Sequence, residues 1–242
     1  MSISHTRLDR FIGEHLHISR RDVRLMLAQK RISVDGQAIN EIGYIINKFS
    51  HVQLDGETLQ NNQAFYLMLH KPVGVVCATV DEQHRTVIDL INHPAKNELH
   101  IVGRLDLNTS GLVLLTNDSR WSERLMSPEH KVAKKYLVTV KHAINKEQEQ
   151  SYIDAFVKGM YFQYEDITTM PAFLTVIDEH QLEVQLYEGK YHQIKRMFGR
   201  FQNPVIALHR RSVGSLELDA KLMPGESRSL TRDEVNNIFS KA

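Results

Sequence analysis

Gly103-Arg-Leu-Asp-Leu-Asn-Thr-Ser-Gly-Leu-Val-Leu-Leu-Thr-Asn-Asp118 joins a polar loop to an apolar run. Leu112 to Leu115 predicts a buried strand, because a short apolar run bounded by turn-formers fits a strand covered on both faces. The residues before it are turn-formers, charged groups and hydroxyls, with Asp106 set between Leu105 and Leu107. Leucines on both sides hold a carboxylate against an apolar wall, at a cost of roughly several kcal/mol unless the group is paired or hydrogen-bonded. Asp106 either caps a turn with Asn108, Thr109 and Ser110, residue types that bond their own backbone, or is kept for chemistry, or has a structural partner.

The chain around this stretch has 242 residues, enough for one or two domains with a sizeable core. Its single cysteine, Cys77, excludes an intramolecular disulfide and suits a reducing compartment. Following Val75-Val76, Cys77 reads as a small buried residue rather than a nucleophile. No apolar run reaches the length of a membrane span, and Met1 to Arg10 is polar, so a soluble cytoplasmic protein is expected. Thirteen histidines raise the question of a metal, but no His/Cys cluster has ligand spacing and none is expected.

The net charge of +1 conceals segregation. Arg7 to Arg31 carries seven Lys/Arg against three acids, Lys131 to Lys146 five lysines and no acid, and Gly189 to Leu216 six Lys/Arg and no acid. Glu147 to Glu188 holds nine acids against Lys158 alone. Three basic stretches favour a polyanion, nucleic acid above all, as partner.

Arg7 to His17 has helical apolar spacing, and Ser19 with Asp22 opens a second helix like a capping box. That helix turns Arg20 and Arg24 to one face, where like charges repel unless an anion joins them. Asp35-Gly36 and Asp55-Gly56 predict hairpin turns between short strands. Gln60-Asn-Asn-Gln63 is a polar connector, giving domains 1–60 and 61–242. Beyond it, strands are expected over Ala64–Leu69 and Val75–Ala78, a short helix from Thr86 to Ile91, and a helix from Arg120 to Met126 capped by Ser119. Lys134 to Lys141 alternates as a strand, Asn145 to Val157 reads as a helix, and Ala172–Ile177 and Gln181–Tyr187 as strands. Gly189 to Gly199 opens a basic helix with Ile194, Met197 and Phe198 inward. Val205–Leu208 and Leu216–Leu218 are further strands, and Thr231 to Phe239 closes the chain as a helix. Strands and helices do not alternate regularly and no Gly-rich phosphate loop is present, which argues against a doubly wound sheet. The fold expected is α+β: a small N-terminal α/β module, then a domain with a mixed, mostly antiparallel sheet.

Arg7-Leu-Asp-Arg10, Ser19-Arg-Arg-Asp22 and Arg31-Ile-Ser-Val-Asp-Gly36 resemble the S4-like RNA-binding domain over about the first fifty residues. The resemblance implies that Arg20, Arg21, Arg24, Lys30 and Arg31 grip RNA phosphates, contacts that position without reading sequence and weaken with salt.

Gly103-Arg-Leu-Asp106 with Thr109-Ser-Gly-Leu112, Lys135-Tyr-Leu-Val138 and His192-Gln-Ile-Lys-Arg-Met197 follow in that order behind this module. Together they resemble the RsuA-type rRNA pseudouridine synthases over essentially the whole chain. Lys71-Pro-Val-Gly74 and Gln83-His-Arg-Thr-Val87 add to the resemblance, and Trp121 to Pro128 with Gly159 to Ile167 is more similar to the small-subunit enzymes. It implies an isomerase with a pseudouridine synthase catalytic domain that converts a uridine of small-subunit (16S) rRNA, uridine 516. It implies Asp106 as nucleophile, Tyr136 stacked on the uracil with its phenol near the carbon 5 proton, and Lys195 as the cation on the aspartate. Many relatives carry Arg at the position of Lys195, so a bidentate pair is lost and the neighbouring Arg196 is the other cation to weigh. Arg104 is implied to contact the RNA backbone beside the flipped base. No cofactor and no metal are called for, since the reaction only moves a bond. The implied partner is small-subunit rRNA or its assembly intermediate, bound by a monomer and without a membrane. Kept beside this reading are a large-subunit enzyme of the same family, a non-catalytic RNA-binding assembly factor, and a hydrolase pairing Asp106 with Asp118 or Glu188.

Overall fold

The computed structural model describes residues 5–240, which fold as two compact units, 5–64 and 65–240. In the first unit, helices α1 (Leu8–Leu16) and α2 (Arg20–Ala28) bury Leu8, Ile12, Val23 and Leu27 against Ile32, Val34 and Val52. The Ser19 hydroxyl accepts from the Asp22 N–H while the Asp22 carboxylate accepts from the Ser19 N–H, a complete capping box. Four antiparallel strands run in the order Gln37–Ala38, Ile32–Val34, Val52–Leu54, Glu57–Gln60. Both hairpins turn on Asp-Gly pairs with positive φ, 51° and 81° at Asp35-Gly36 and 51° and 86° at Asp55-Gly56, as the two-residue type I′ turn requires. Gln60 belongs to this unit, its side chain donating to the carbonyls of Asn47 and Ser50.

The second unit is built on a nine-stranded mixed sheet. Its main path runs Phe173–Val176, Gln181–Leu186, Lys134–Val140, Val205–Val213, Ser110–Thr116, Tyr66–Lys71, Ser227–Ser229. Leu216–Glu217 pairs with Val205–Val213, and His100–Val102 with Ser110–Thr116. All pairs are antiparallel except that of Val205–Val213 with Ser110–Thr116, where His209 lies opposite Ser110 and Arg210 opposite Gly111.

The apolar run Leu112–Leu115 is the strand at this seam, and both its faces are buried. Val113 and Leu115 enter a core with Leu67, Leu69, Val138 and Val184, closed by Tyr152 and Phe156 of α4 (Lys146–Lys158) and by Ile194, Met197 and Phe198 of α5 (Gln193–Gly199). Leu112 and Leu114 enter the opposite core with Met68, Trp121 and Leu125, the last two from α3 (Ser119–Met126). Helix α6 (Arg232–Asn237) covers that side, with Ile238 just beyond it fully buried.

Three expectations are corrected. Thr86 to Ile91 forms turns, not a helix: the Thr86 N–H and hydroxyl both donate to Asp89, and the Ile91 N–H donates to the Ile88 carbonyl at 3.1 Å. Val75 to Ala78 makes only an isolated bridge from Val76 to Thr86, so the chain here is a braced loop rather than a strand. The N-cap of α3 is Asp118, not Ser119; its carboxylate accepts from the N–H groups of Arg120 and Trp121. No helix among the described residues is long and apolar enough to cross a membrane.

Gly111 makes the seam possible. Its φ is +112°, and a Cβ there would lie 2.3 Å from the Arg210 carbonyl oxygen and 2.5 Å from its nitrogen. Gly225 also has positive φ, +95°, but open space around it. Gly111→Ala is therefore expected to destabilise the second unit by about 3 kcal/mol or more, and Gly225→Ala by only about 1 kcal/mol. Urea midpoints at unchanged m-value check the difference; equal losses at the two sites would contradict the steric account.

Candidate active site

The Asp106 loop leaves the sheet at Gly103 and returns at Ser110, and buried cations fix both of its ends. Lys71, with no exposed surface at the end of its strand, donates from Nζ to the carbonyls of Asp106 (3.0 Å), Thr109 (2.7 Å) and Pro72 (3.0 Å), with Leu107 at 3.4 Å. Burial holds its pKa below the usual lysine value. Arg210, 2% exposed, donates from Nε to the Leu112 carbonyl at 2.8 Å and from Nη2 to the Gly103 carbonyl at 3.1 Å. The Leu105 N–H donates to Cys77 Sγ at 3.2 Å; burial pushes that thiol's pKa up, which keeps it protonated. Nearby, the buried Lys134 donates to the Val132 carbonyl, and burial together with the Arg210 charge lowers its pKa to about 8.

These contacts remove the turn-capping reading of Asp106. The turn is closed by the backbone, with the Thr109 N–H donating to the Asp106 carbonyl at 3.0 Å. The carboxylate is left free of that duty and points at α5. Its Oδ2 lies 3.3 Å from Lys195 Nζ and 3.3 Å from His192 Nε2. Leu105 is buried beside it, while the Asp106 side chain keeps a third of its surface open to an adjoining cleft.

The cleft has a volume of about 90 Å³, and its walls include Arg104, Asp106, Tyr136, His192, Lys195 and Leu208. Tyr136 is buried in its strand, opposite Val184 on one side and Arg210 on the other. Among the described residues Asp106 is the one acid in the wall. The acids considered as second carboxylates are engaged elsewhere: Asp118 caps α3 and accepts from the Tyr66 hydroxyl at 2.8 Å, and Glu188 accepts from the Met170 N–H and the Gln193 amide. Among the described residues no group of three or more metal-ligating side chains is clustered.

Of the residues expected at the site, Asp106, Tyr136, Lys195 and Arg104 meet around one cleft. Arg196 does not join them. The helix turns it to Glu165, which accepts from both Nη1 and Nη2 at 2.7 and 2.8 Å, with the guanidinium 3.6 Å from the Phe162 ring centre. Arg20, Arg21, Arg24, Lys30 and Arg31 are all exposed in the first unit; Arg31 is held by Asp55, and the Arg20 charge acts on Asp9.

His192 is the residue at the centre that sequence reasoning left without a role. It precedes Lys195 by three, the spacing that shares a helix face, and that was the available signal. Its φ of 47° is a left-handed conformation that the motif does not announce. Lys71 and Arg210 were missed because their work is done through backbone carbonyls remote in sequence.

The sequence profile of RNA pseudouridylate synthases matches residues 65–199. The chain is 45% identical to the ribosomal small subunit pseudouridine synthase A of Pseudomonas aeruginosa, over 96% of this chain and 100% of that one. It is 40% identical to the protein of the same name from Escherichia coli K12, over 96% and 99%. A crystal structure of a pseudouridylate synthase superposes with a TM-score of 0.68 at 34% identity, covering 96% of this chain and 99% of that one. The chain belongs to the RNA pseudouridylate synthase family of isomerases, and its relatives group it with the RsuA-type enzymes its motifs resemble.

Proposed function

We propose that this chain converts one uridine of small-subunit rRNA, uridine 516, to pseudouridine, with Asp106 as the nucleophile. The observation that carries the reading is a lone carboxylate, answered by Lys195 and His192 on one oxygen and facing a cleft shared with Tyr136. The isomerisation breaks the bond from carbon 1′ to N1 and forms one from carbon 1′ to carbon 5. The carbon 5 proton leaves and N1 gains one, so the balance is redox-neutral and no cofactor enters. A carboxylate suits the task because it attacks and is then expelled without a permanent adduct. Lys195 and His192 hold it in one orientation, Tyr136 offers an aromatic face to the uracil with a phenol beside the carbon 5 proton, and Arg104 meets the backbone. The engagement of Asp118 and Glu188 elsewhere, with no second acid among the described residues of the wall, speaks against a hydrolase built on paired carboxylates.

We propose further that the first unit is an S4-like RNA-binding module, working through the exposed Arg20, Arg21, Arg24 and Lys30 on a monomeric enzyme. Arg31, committed to Asp55, contributes less.

Asp106→Asn is expected to abolish tritium release from rRNA labelled at carbon 5 of uridine while leaving RNA affinity within a few-fold. Continued release would remove Asp106 from the chemistry; lost affinity would make its role structural.

The chain lacking residues 1–64 is expected to remain folded. Its affinity for small-subunit rRNA falls, and the slope of log K against log salt flattens by roughly three, as four lost phosphate contacts predict. Unchanged affinity and slope in a titration from low to high salt would contradict the module's assignment.

A further inference from the structure

Tyr191 sits beside the cleft with 71% of its surface exposed. Its ring lies on that of His192, centroids 3.9 Å apart and planes 20° apart, and His192 in turn reaches Asp106. The backbone around it is pinned: the Lys190 N–H donates to the Gln193 side chain at 3.0 Å, and the Tyr191 carbonyl accepts from Arg196 Nη1 at 3.4 Å. Gln193 is itself buried and tied to Glu188, and Arg196 is locked by Glu165 and Phe162. A scattered exposed aromatic is ordinary. An exposed ring that is stacked on a ligand of the reactive carboxylate and anchored through its neighbours is a preorganised surface, which loses little freedom when something lies on it.

We infer that Tyr191 is the stacking platform for the nucleobase next to the target uridine, an inference that rests on the function proposed above. Turning a uridine out of its stack costs a few kcal/mol, and it strips the adjoining base of a neighbour. One face of Tyr191 is covered by His192; the rest of the ring is open to take that base, with Lys190 in the same cleft wall for a phosphate. Stacking of this kind accepts any base, since every base has a π-face. Specificity would then come from the pocket, and Tyr191 would add grip at the moment the duplex or loop opens.

The test uses the full chain and a small-subunit rRNA transcript, read by equilibrium binding and by single-turnover tritium release. Tyr191→Ala is expected to raise the RNA concentration for half-saturation about five- to a hundredfold, with the saturating rate changed less than that. Tyr191→Phe retains the ring and so the affinity, whereas Tyr191→Leu behaves like Ala. Transcripts with an abasic nucleotide on either side of the converted uridine complete the cycle: on one side the abasic site weakens wild type by a similar factor but Tyr191→Ala by less than twofold. Full multiplicativity on both sides, affinity restored by Leu, or a fall in saturating rate with unchanged affinity would each overturn the inference; the last two identify the ring as a cover or support for His192. Absence of tritium release from the wild-type protein would instead defeat the proposed function, with the binding cycle still reporting on Tyr191.

Discussion

The ammonium of Lys71 lies under the Asp106 turn with no exposed surface, holding the chain by its carbonyl oxygens. A buried cation carries a heavy desolvation cost, and hydrogen bonds to several carbonyls offset it. The arrangement has a consequence for the site. Had the ammonium taken the Asp106 carboxylate, the acid would be spent as a structural ion pair. Because it takes the peptide oxygens of Asp106 and Thr109 instead, the turn is fixed while the side chain stays available to Lys195 and His192. The same contact gives a rigid backbone and leaves the carboxylate to Lys195 and His192.

The far end of the loop obeys the same rule through the sheet. Two antiparallel halves meet at a single parallel step, Ser110-Gly111 against His209-Arg210, and Gly111 lets the strands approach there. Arg210 leaves the neighbouring strand at that step and bonds the carbonyls of Gly103 and Leu112, so the loop's two stems are tied by one guanidinium. Tyr136, paired opposite Arg210 on the next strand, enters the cleft from the same register. Register, rather than sequence proximity, is what brings position 136 to position 106.

This explains what was legible beforehand. Signals that act over a few residues read correctly: the Ser19–Asp22 capping box, the Asp-Gly hairpins, the alternation of Lys134–Val140, and the apolar run whose two faces serve two cores. Errors came where a local pattern was too short to propagate or was overruled by contacts from afar. Thr86 and Asp89 satisfy each other in one turn, and nothing beyond sustains a helix. Val75 to Ala78 has strand-like residues but only Thr86 to pair with. Asp106, Tyr136 and Lys195, singled out through motifs with a known resemblance, line one cleft. Lys71, Arg210 and His192 depend on carbonyls, on a parallel register and on a left-handed φ, none of which a residue type displays.

Charge gives the remaining step. The stretch Gly189 to Leu216, read as a basic surface for a polyanion, is largely committed inside the fold. Lys190 faces Glu188, Lys195 faces Asp106, Arg196 is held by Glu165, Arg211 by Glu183, Arg200 donates to the Tyr161 carbonyl, and Arg210 is buried. The acidic stretch is therefore not a separate face: three of its acids trim cations of the basic stretch. Exposed pairs such as Arg211–Glu183 are weak and yield to a competing phosphate, whereas Arg196, shielded by the Phe162 ring and gripped through two nitrogens, does not yield easily. An RNA backbone arriving at this surface would thus find graded partners, with the loosest cations at the rim and the firmly held ones shaping the cleft. Local clusters of cations, rather than the net charge of +1, steer a polyanion; the firmness of each pair decides which cations remain around Asp106.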